Sequence, residues 1–173
     1  MYQIGDLVLY GSAGVCKVAD ITTRKMPGLD HPQDFYVLEP LYQQNYTIQA
    51  PVNNAKVFMR PIISKSEATE LMDTIPTIGT TAYYNCSLSQ LSRHYDTFLE
   101  THECLDLMKL TISIYAKRQV AEEKQRKFGS VDEKYMKRAE DLLFGELAAA
   151  LDVSKNKVSE YVAGRLNLDR RAN

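Results

Sequence analysis

Up to about residue 62, apolar positions recur with the short alternation of strands; beyond it they recur every three or four residues, as on a helix face. Val8, Tyr10, Val15, Val18, Ile21, Tyr36, Val37, Leu38 and Ile48 supply the β-branched and aromatic side chains that suit a pleated, half-buried surface. The alternation predicts strands over residues 4–10, 15–23, 35–41 and 46–51. Gly11 and Gly14 bracket a first turn, and Met26-Pro27-Gly28 through Pro32 form a second. Four or five short strands protect their edges by closing, so residues 1–62 are expected to form a small SH3-like or Tudor-like β-barrel.

Residues 63–173 predict an all-helical domain of about five helices, making the chain α+β. Ser64-Lys65-Ser66-Glu67 has the capping-box form, opening a helix that runs to about Ile75 and stops before Pro76. Residues 77–87 are a polar connection carrying Gly79, Tyr83, Tyr84 and Asn85, followed by a helix over residues 88–99. A long helix is expected from Cys104 to Lys127, with Leu105, Met108, Ile112 and Tyr115 as its stripe and Leu107, Leu110 and Ile114 widening it. Gly129 ends that helix, and Ser130-Val131-Asp132-Glu133 opens the next with a second capping box. Ser154 caps a last helix reaching about Val162, and the polar tail from Arg165 is expected to fray.

Composition removes several function classes. A formal net charge of −1 gives no global attraction to nucleic acid or anionic lipid, so any such contact needs a local patch. Cys16, Cys86 and Cys104 lack the close pairing of a zinc site and are expected to be reduced, so no metal and no cofactor is expected. No apolar run approaches the roughly 20 residues needed to cross a bilayer. The N-terminus enters a strand pattern directly, without a leader, which points to a cytoplasmic protein with no membrane partner. His31, His94 and His102 are scattered, and no nucleophile or phosphate-loop motif occurs; an enzyme is not expected and no catalytic residue is assigned.

Three features carry candidate chemistry. Residues 146–162 have a helix-turn-helix pattern, Glu146-Leu147-Ala148-Ala149-Ala150-Leu151 followed by a serine-capped helix. That helix offers Lys155, Asn156 and Lys157 to a groove but also Glu160 and Tyr161, and a helical hairpin closing the bundle explains the same pattern. Lys117, Arg118, Lys124, Arg126 and Lys127 end one helix while Lys134, Lys137 and Arg138 begin the next, so the two sets can form one phosphate-facing patch or two solvated helix ends. Tyr83 and Tyr84 either pack against the bundle or form an exposed surface for stacking on a base.

With Ile4-Gly5-Asp6-Leu7-Val8-Leu9-Tyr10, Gly14-Val15, Phe35-Tyr36-Val37-Leu38, Thr47-Ile48-Gln49-Ala50-Pro51-Val52-Asn53-Asn54-Ala55 and Arg60-Pro61-Ile62-Ile63-Ser64, the first third resembles the RNA-polymerase-interacting domain of CarD-type bacterial transcription regulators. The same domain occurs in the transcription-repair coupling factor, whose helicase motifs are absent here. Ala139-Glu140-Asp141-Leu142-Leu143 with Gly145-Glu146-Leu147-Ala148 resembles the end of the CarD helical domain. The resemblance implies a regulator, monomeric by preference, whose barrel adds a strand edge to the β subunit of RNA polymerase. Its helical domain then holds the upstream fork of the promoter non-specifically, which changes open-complex stability. By the same resemblance Arg24, Met26, Thr47 and Gln49 face polymerase, with Gln49 standing where many members carry arginine, and Tyr83, Tyr84, Arg93 and Lys134 face DNA. The family's wedge is a tryptophan and this chain has none; Tyr84 stands near that position. His102-Glu103 replaces the usual Gly-Asp turn, which fits a divergent member with weaker DNA engagement. The alternatives are a stand-alone helix-turn-helix repressor using residues 146–162, which binds duplex without polymerase, and a polymerase adaptor without DNA contact.

Overall fold

The computed structural model describes residues 1–28, 30–53 and 56–171. The chain divides into two compact units, Met1–Ile63 and Ser64–Asn173.

The first unit is an antiparallel sheet of β1 (Leu7–Tyr10), β2 (Gly14–Arg24), β3 (Gln33–Pro40), β4 (Ile48–Pro51) and β5 (Met59–Pro61), in the order β4-β3-β2-β1-β5. One tight turn, Gly11–Ala13, joins β1 to β2, and both flanking glycines take positive φ (46° at Gly11, 76° at Gly14), where a side chain would be strained. The register of β2 against β3 slips between Val18 and Asp20. That bulge inserts one residue, so Val18 and Ile21 both meet the core although three positions apart. Val8, Cys16, Val18, Tyr36, Leu38 and Ala50 fill this core. The Tyr36 hydroxyl accepts the Tyr2 N–H at 2.9 Å, tying the N-terminus across it. Burial pushes the Cys16 thiol up to about 11, so it stays protonated and behaves as a small apolar side chain.

The pairing is that of an open sheet: β4 and β5 are its edges, and no ladder joins them among the described residues. The expected closure into a barrel is therefore absent from the hydrogen-bond pattern. β4 and β5 are only four and three residues long, and each ends in proline, which cannot donate to a further ladder. β5 escaped the alternation analysis because three residues are too few to show a period. Asn54 and Ala55, part of the family-like stretch, lie outside the described residues.

The second unit contains α1 (Lys65–Thr74), α2 (Leu88–Leu99), α3 (Cys104–Glu123), α4 (Ser130–Leu151) and α5 (Lys155–Arg171). The expected capping box on α1 forms: Glu67 N–H reaches Ser64 Oγ, and Glu67 Oε2 accepts the Ser64 N–H at 2.7 Å. A single 3₁₀ turn at Ile75–Thr77 carries the chain through Pro76. α4 lies at the centre, packed by α1, α2, α3 and α5, and α3 packs on α2 and α4. The buried side chains of α3 include Leu107, Met108, Leu110, Thr111 and Ile114, whereas Leu105 is exposed. The buried face is thus rotated from the expected stripe.

Three boundaries differ from expectation. α3 stops at Glu123 rather than Lys127, because Gln125 takes a left-handed conformation (φ 50°) and Arg126 N–H bonds back to the Ala121 carbonyl at 2.7 Å. The second capping box does not form: Gly129 occupies the cap of α4 with no side-chain bond, so Ser130 is the first helical residue rather than the cap. α5 continues past Val162 to Arg171, so the expected tail is helical up to that residue, while Ala172 and Asn173 lie outside the described residues.

Gly129 is closely confined. A Cβ there would lie 2.7 Å from Asp132 Oδ2, a carboxylate that is itself held in place. Gly129→Ala is expected to lower unfolding stability by about 1–3 kcal/mol. Gly79→Ala, where nothing lies within 4 Å, should be neutral or slightly stabilising. Paired chemical-denaturation curves on the full chain check both.

Candidate functional site

The sheet edge and the helical unit each assemble a candidate surface. In the first, β4 pairs with β3 on one side alone, with Leu38 opposite Ile48, Val37 opposite Gln49 and Tyr36 opposite Ala50. The Val52 N–H bonds to the Asp34 carbonyl at 2.8 Å, which sets the phase of the ladder. Antiparallel pairing alternates, so Ile48 and Ala50 spend their backbone groups on β3 while those of Gln49 point away from the sheet. Pro51 adds an outward carbonyl without a donor. Besides the three-residue edge of β5, the far half of β2 also lacks a neighbouring strand on its side away from β3 among the described residues. It is blunted, because Asp20 Oδ1 takes the Ile21 N–H at 2.8 Å. β4 is consequently the edge better able to accept a partner strand.

Arg24 is the last residue of β2, exposed, and register places it on the same face of the sheet as Gln49, opposite the core. The two are separated by β3, roughly 13 Å along the strands and 10 Å across them. Exposed Met26 follows Arg24, and exposed Thr47 immediately precedes β4. All four polymerase-facing residues implied by the resemblance are accessible.

In the helical unit the organising group is Asp132 on the first turn of α4. Its Oδ1 accepts from the Tyr95 hydroxyl of α2 at 2.6 Å and from Lys117 Nζ of α3 at 2.6 Å, while Lys117 also reaches the Tyr95 oxygen at 3.2 Å. All three side chains are buried. Burial, then the bond to Asp132, raises the Tyr95 phenol so that it remains a donor. The charged pair is neutralised internally and the Tyr95 hydroxyl adds a hydrogen bond to each partner, which helps a buried ion pair to be tolerated.

Over this network runs the connection between α1 and α2. Ser113 Oγ donates to the Thr81 carbonyl at 2.8 Å, and the Asn85 amide bridges the Tyr83 hydroxyl and Gln90 at 3.1 and 3.0 Å. Tyr83 is stacked on His94, with ring centroids 3.7 Å apart. Its packing reading is therefore the one realised. Tyr84 projects outward, 61 % exposed, with Lys117 Nζ 5.1 Å from its ring centroid on the buried side.

Tyr84 stands at the mouth of a cleft of about 520 Å³. Leu88, Val120 and Phe128 form apolar parts of its wall, and Lys124, Arg126 and Lys127 supply its cations. Among the described residues none of these three cations is held in an ion pair. The early end of α3 creates this arrangement by turning the basic segment into the loop before α4. Arg93 does not join it: it lines a separate shallow groove on α2 with Asp96 and Glu100. Lys134 is exposed on α4 and outside the cleft lining. Leu88 and Phe128 were not legible as site residues, since each reads locally as an ordinary helix-end hydrophobe.

The helix-turn-helix pattern folds as α4, a left-handed Asp152 (φ 55°) and α5. Lys155 is bound to Asp141 and Arg165 to Asp73, leaving Lys157 as the unpaired cation among the described side chains of α5. Val158 and Val162 are buried.

Residues 2–63 match the family model described as the CarD-like/TRCF RID domain. The first unit is similar to that domain along nearly its whole length. The description of that family points to an RNA-polymerase interaction in transcription, and the matched segment ends at the boundary between the two units. The match covers little more than a third of the 173 residues. A comparison with curated proteins finds no match.

Two outcomes follow from the buried groups. Asp132→Ala leaves the Lys117 ammonium buried without its counter-charge and is expected to cost about 3–5 kcal/mol. Tyr95→Phe removes one hydroxyl and should cost about 1 kcal/mol; urea titration separates the two. His94 has its pKa lowered by burial, so the unfolded chain binds that proton more readily. Its contribution is fully present above the ordinary histidine pKa of 6.5 and is lost as pH falls through the lower folded value. Stability measured from pH 7.5 downwards should decline over that window, with a shallower slope in His94→Gln.

Proposed function

We propose that this protein is a non-catalytic transcription regulator that docks on the β subunit of RNA polymerase through the open edge of β4. Its helical unit then meets promoter DNA without sequence selection and alters the lifetime of the open complex. The observation that carries the reading is the combination of the RID-domain match with an unpaired strand edge lying within the matched segment. Main-chain pairing at such an edge supplies affinity, while flanking side chains such as Arg24 supply register and charge complementarity. A Tudor-like curvature of the sheet is consistent with the bulge at Val18/Asp20, since bulges bend a strand and increase its twist.

For the helical unit, Tyr84 supports a role as the stacking or wedging aromatic: it is exposed, and its strap is pinned by bonds to α2 and α3. Tyrosine offers less area than tryptophan but the same kind of face. Lys134, with the loop cations before α4, supports contact with the phosphate backbone. Such contact is sequence-independent and weakens with salt. The ion-paired state of Lys155 and Arg165 argues against the stand-alone repressor.

The test uses purified polymerase from the source organism. Gln49→Pro removes an outward N–H that the sheet does not use, so the fold should persist while polymerase binding weakens about tenfold or more. Ala50→Pro removes a ladder donor and should unfold the first unit. Arg24→Glu should weaken docking through its charge. Tyr84→Ala should leave docking unchanged and reduce the effect on open-complex lifetime by about fivefold or more. Docking unaffected by Gln49→Pro but lost in Thr23→Pro would move the interface to β2, and unchanged lifetimes in Tyr84→Ala would leave an adaptor without DNA contact.

A further inference from the structure

We infer that the cleft between the strap, the end of α3 and the start of α4 binds a free nucleoside polyphosphate. The base would lie against Tyr84 and the apolar wall, and the phosphates on Lys124, Arg126 and Lys127. The inference goes beyond the DNA reading and does not need it, although the two share Tyr84.

The cleft has the size of a small-molecule site: about 520 Å³, within the roughly 300–1,000 Å³ usual for such pockets. A single nucleotide fits that volume, whereas a duplex cannot enter it. Its lining has two distinct parts. Tyr84 and Leu88 are 61 % and 63 % exposed, and together with Val120 and Phe128 they give an apolar surface suited to a planar base. The other part is cationic and uncompensated. Among the described residues Asp132 is the one carboxylate lining the cleft, and its charge is already answered by Lys117 at 2.6 Å. Lys124, Arg126 and Lys127 therefore act on an incoming anion without an internal competitor. Three such groups suit a chain of phosphates better than a single one, and arginine adds bidentate geometry.

The Tyr84 ring is poised for stacking. Lys117 occupies its buried side at 5.1 Å, which leaves the exposed side for a base. The strap that carries it is fixed to α2 and α3 through Asn85 and Ser113. The base-binding surface is thus largely formed in advance, which reduces the ordering cost of binding.

Isothermal titration of the full chain with ATP and with GTP, in low salt and without DNA, tests the inference. Saturable binding is expected, weakened roughly 5- to 150-fold by Tyr84→Ala and about tenfold or more by the Arg126→Glu, Lys127→Glu pair. Thermal melts of both variants check that the fold is retained, since all three side chains lie on the surface. Inorganic tripolyphosphate should bind much more weakly than either nucleotide. Tripolyphosphate binding as tightly as GTP, or no effect of Tyr84→Ala, would overturn the inference in favour of a plain anion surface. A single-stranded oligonucleotide that binds while ATP and GTP do not would also overturn it and assign the cleft to nucleic acid alone.

Discussion

A carboxylate taken out of water must be given charge and hydrogen bonds in return, and Asp132 meets that condition by drawing three helices together. Its Oδ1 collects a phenol from α2 and an ammonium from α3 while the residue itself sits on the first turn of α4. Much of the helical unit's functional geometry follows from this arrangement. Lys117, fixed by the pair, lies beneath Tyr84 and helps set the ring at the mouth of the cleft. Gly129 must lack a side chain because the carboxylate stands where a Cβ would need room. The side-chain cap expected for α4 is absent because Gly129 takes the cap position and Ser130 lies inside the helix.

The sheet unit is governed by the complementary constraint that every strand has two sides. β3 can satisfy one side of β4, and what remains is an outward pair of backbone groups at Gln49 flanked by accessible Thr47 and Arg24. Elsewhere the Asp20 carboxylate covers the unpaired Ile21 N–H of β2, and both edge strands end in proline. An outward backbone pair of the kind at Gln49 is physically consistent with a docking edge for another chain. That the matched RID segment contains this edge joins the family match to a specific set of atoms.

The two surfaces also differ in how they recognise a partner. A strand edge recognises backbone and so depends little on the partner's side chains, whereas the cleft combines a flat apolar wall with uncompensated cations and so selects a ligand that is part planar and part anionic. A chain whose net charge is −1 can still present such a cation cluster because the carboxylate in the cleft wall, Asp132, is already answered by Lys117.

The sequence by itself determined the change from two-residue to three-to-four-residue periodicity near residue 63, the capping box at Ser64, the turn at Gly11 and Gly14, and the resemblance that the RID match supports. These are local properties, written in contiguous residues and enforced by backbone conformation. Tertiary structure alone decided the rest. Whether Tyr83 or Tyr84 faces solvent depended on His94 lying where Tyr83 could stack on it. The end of α3, and with it the basic loop, depended on Gln125 adopting a left-handed turn that its residue type does not announce. Open or closed, the sheet turned on how two strands of four and three residues found their partners, a long-range matter that alternation cannot report. Leu88 and Phe128 became walls of one cleft because helix packing brought together residues 40 positions apart, and periodicity carries no information about distances of that kind.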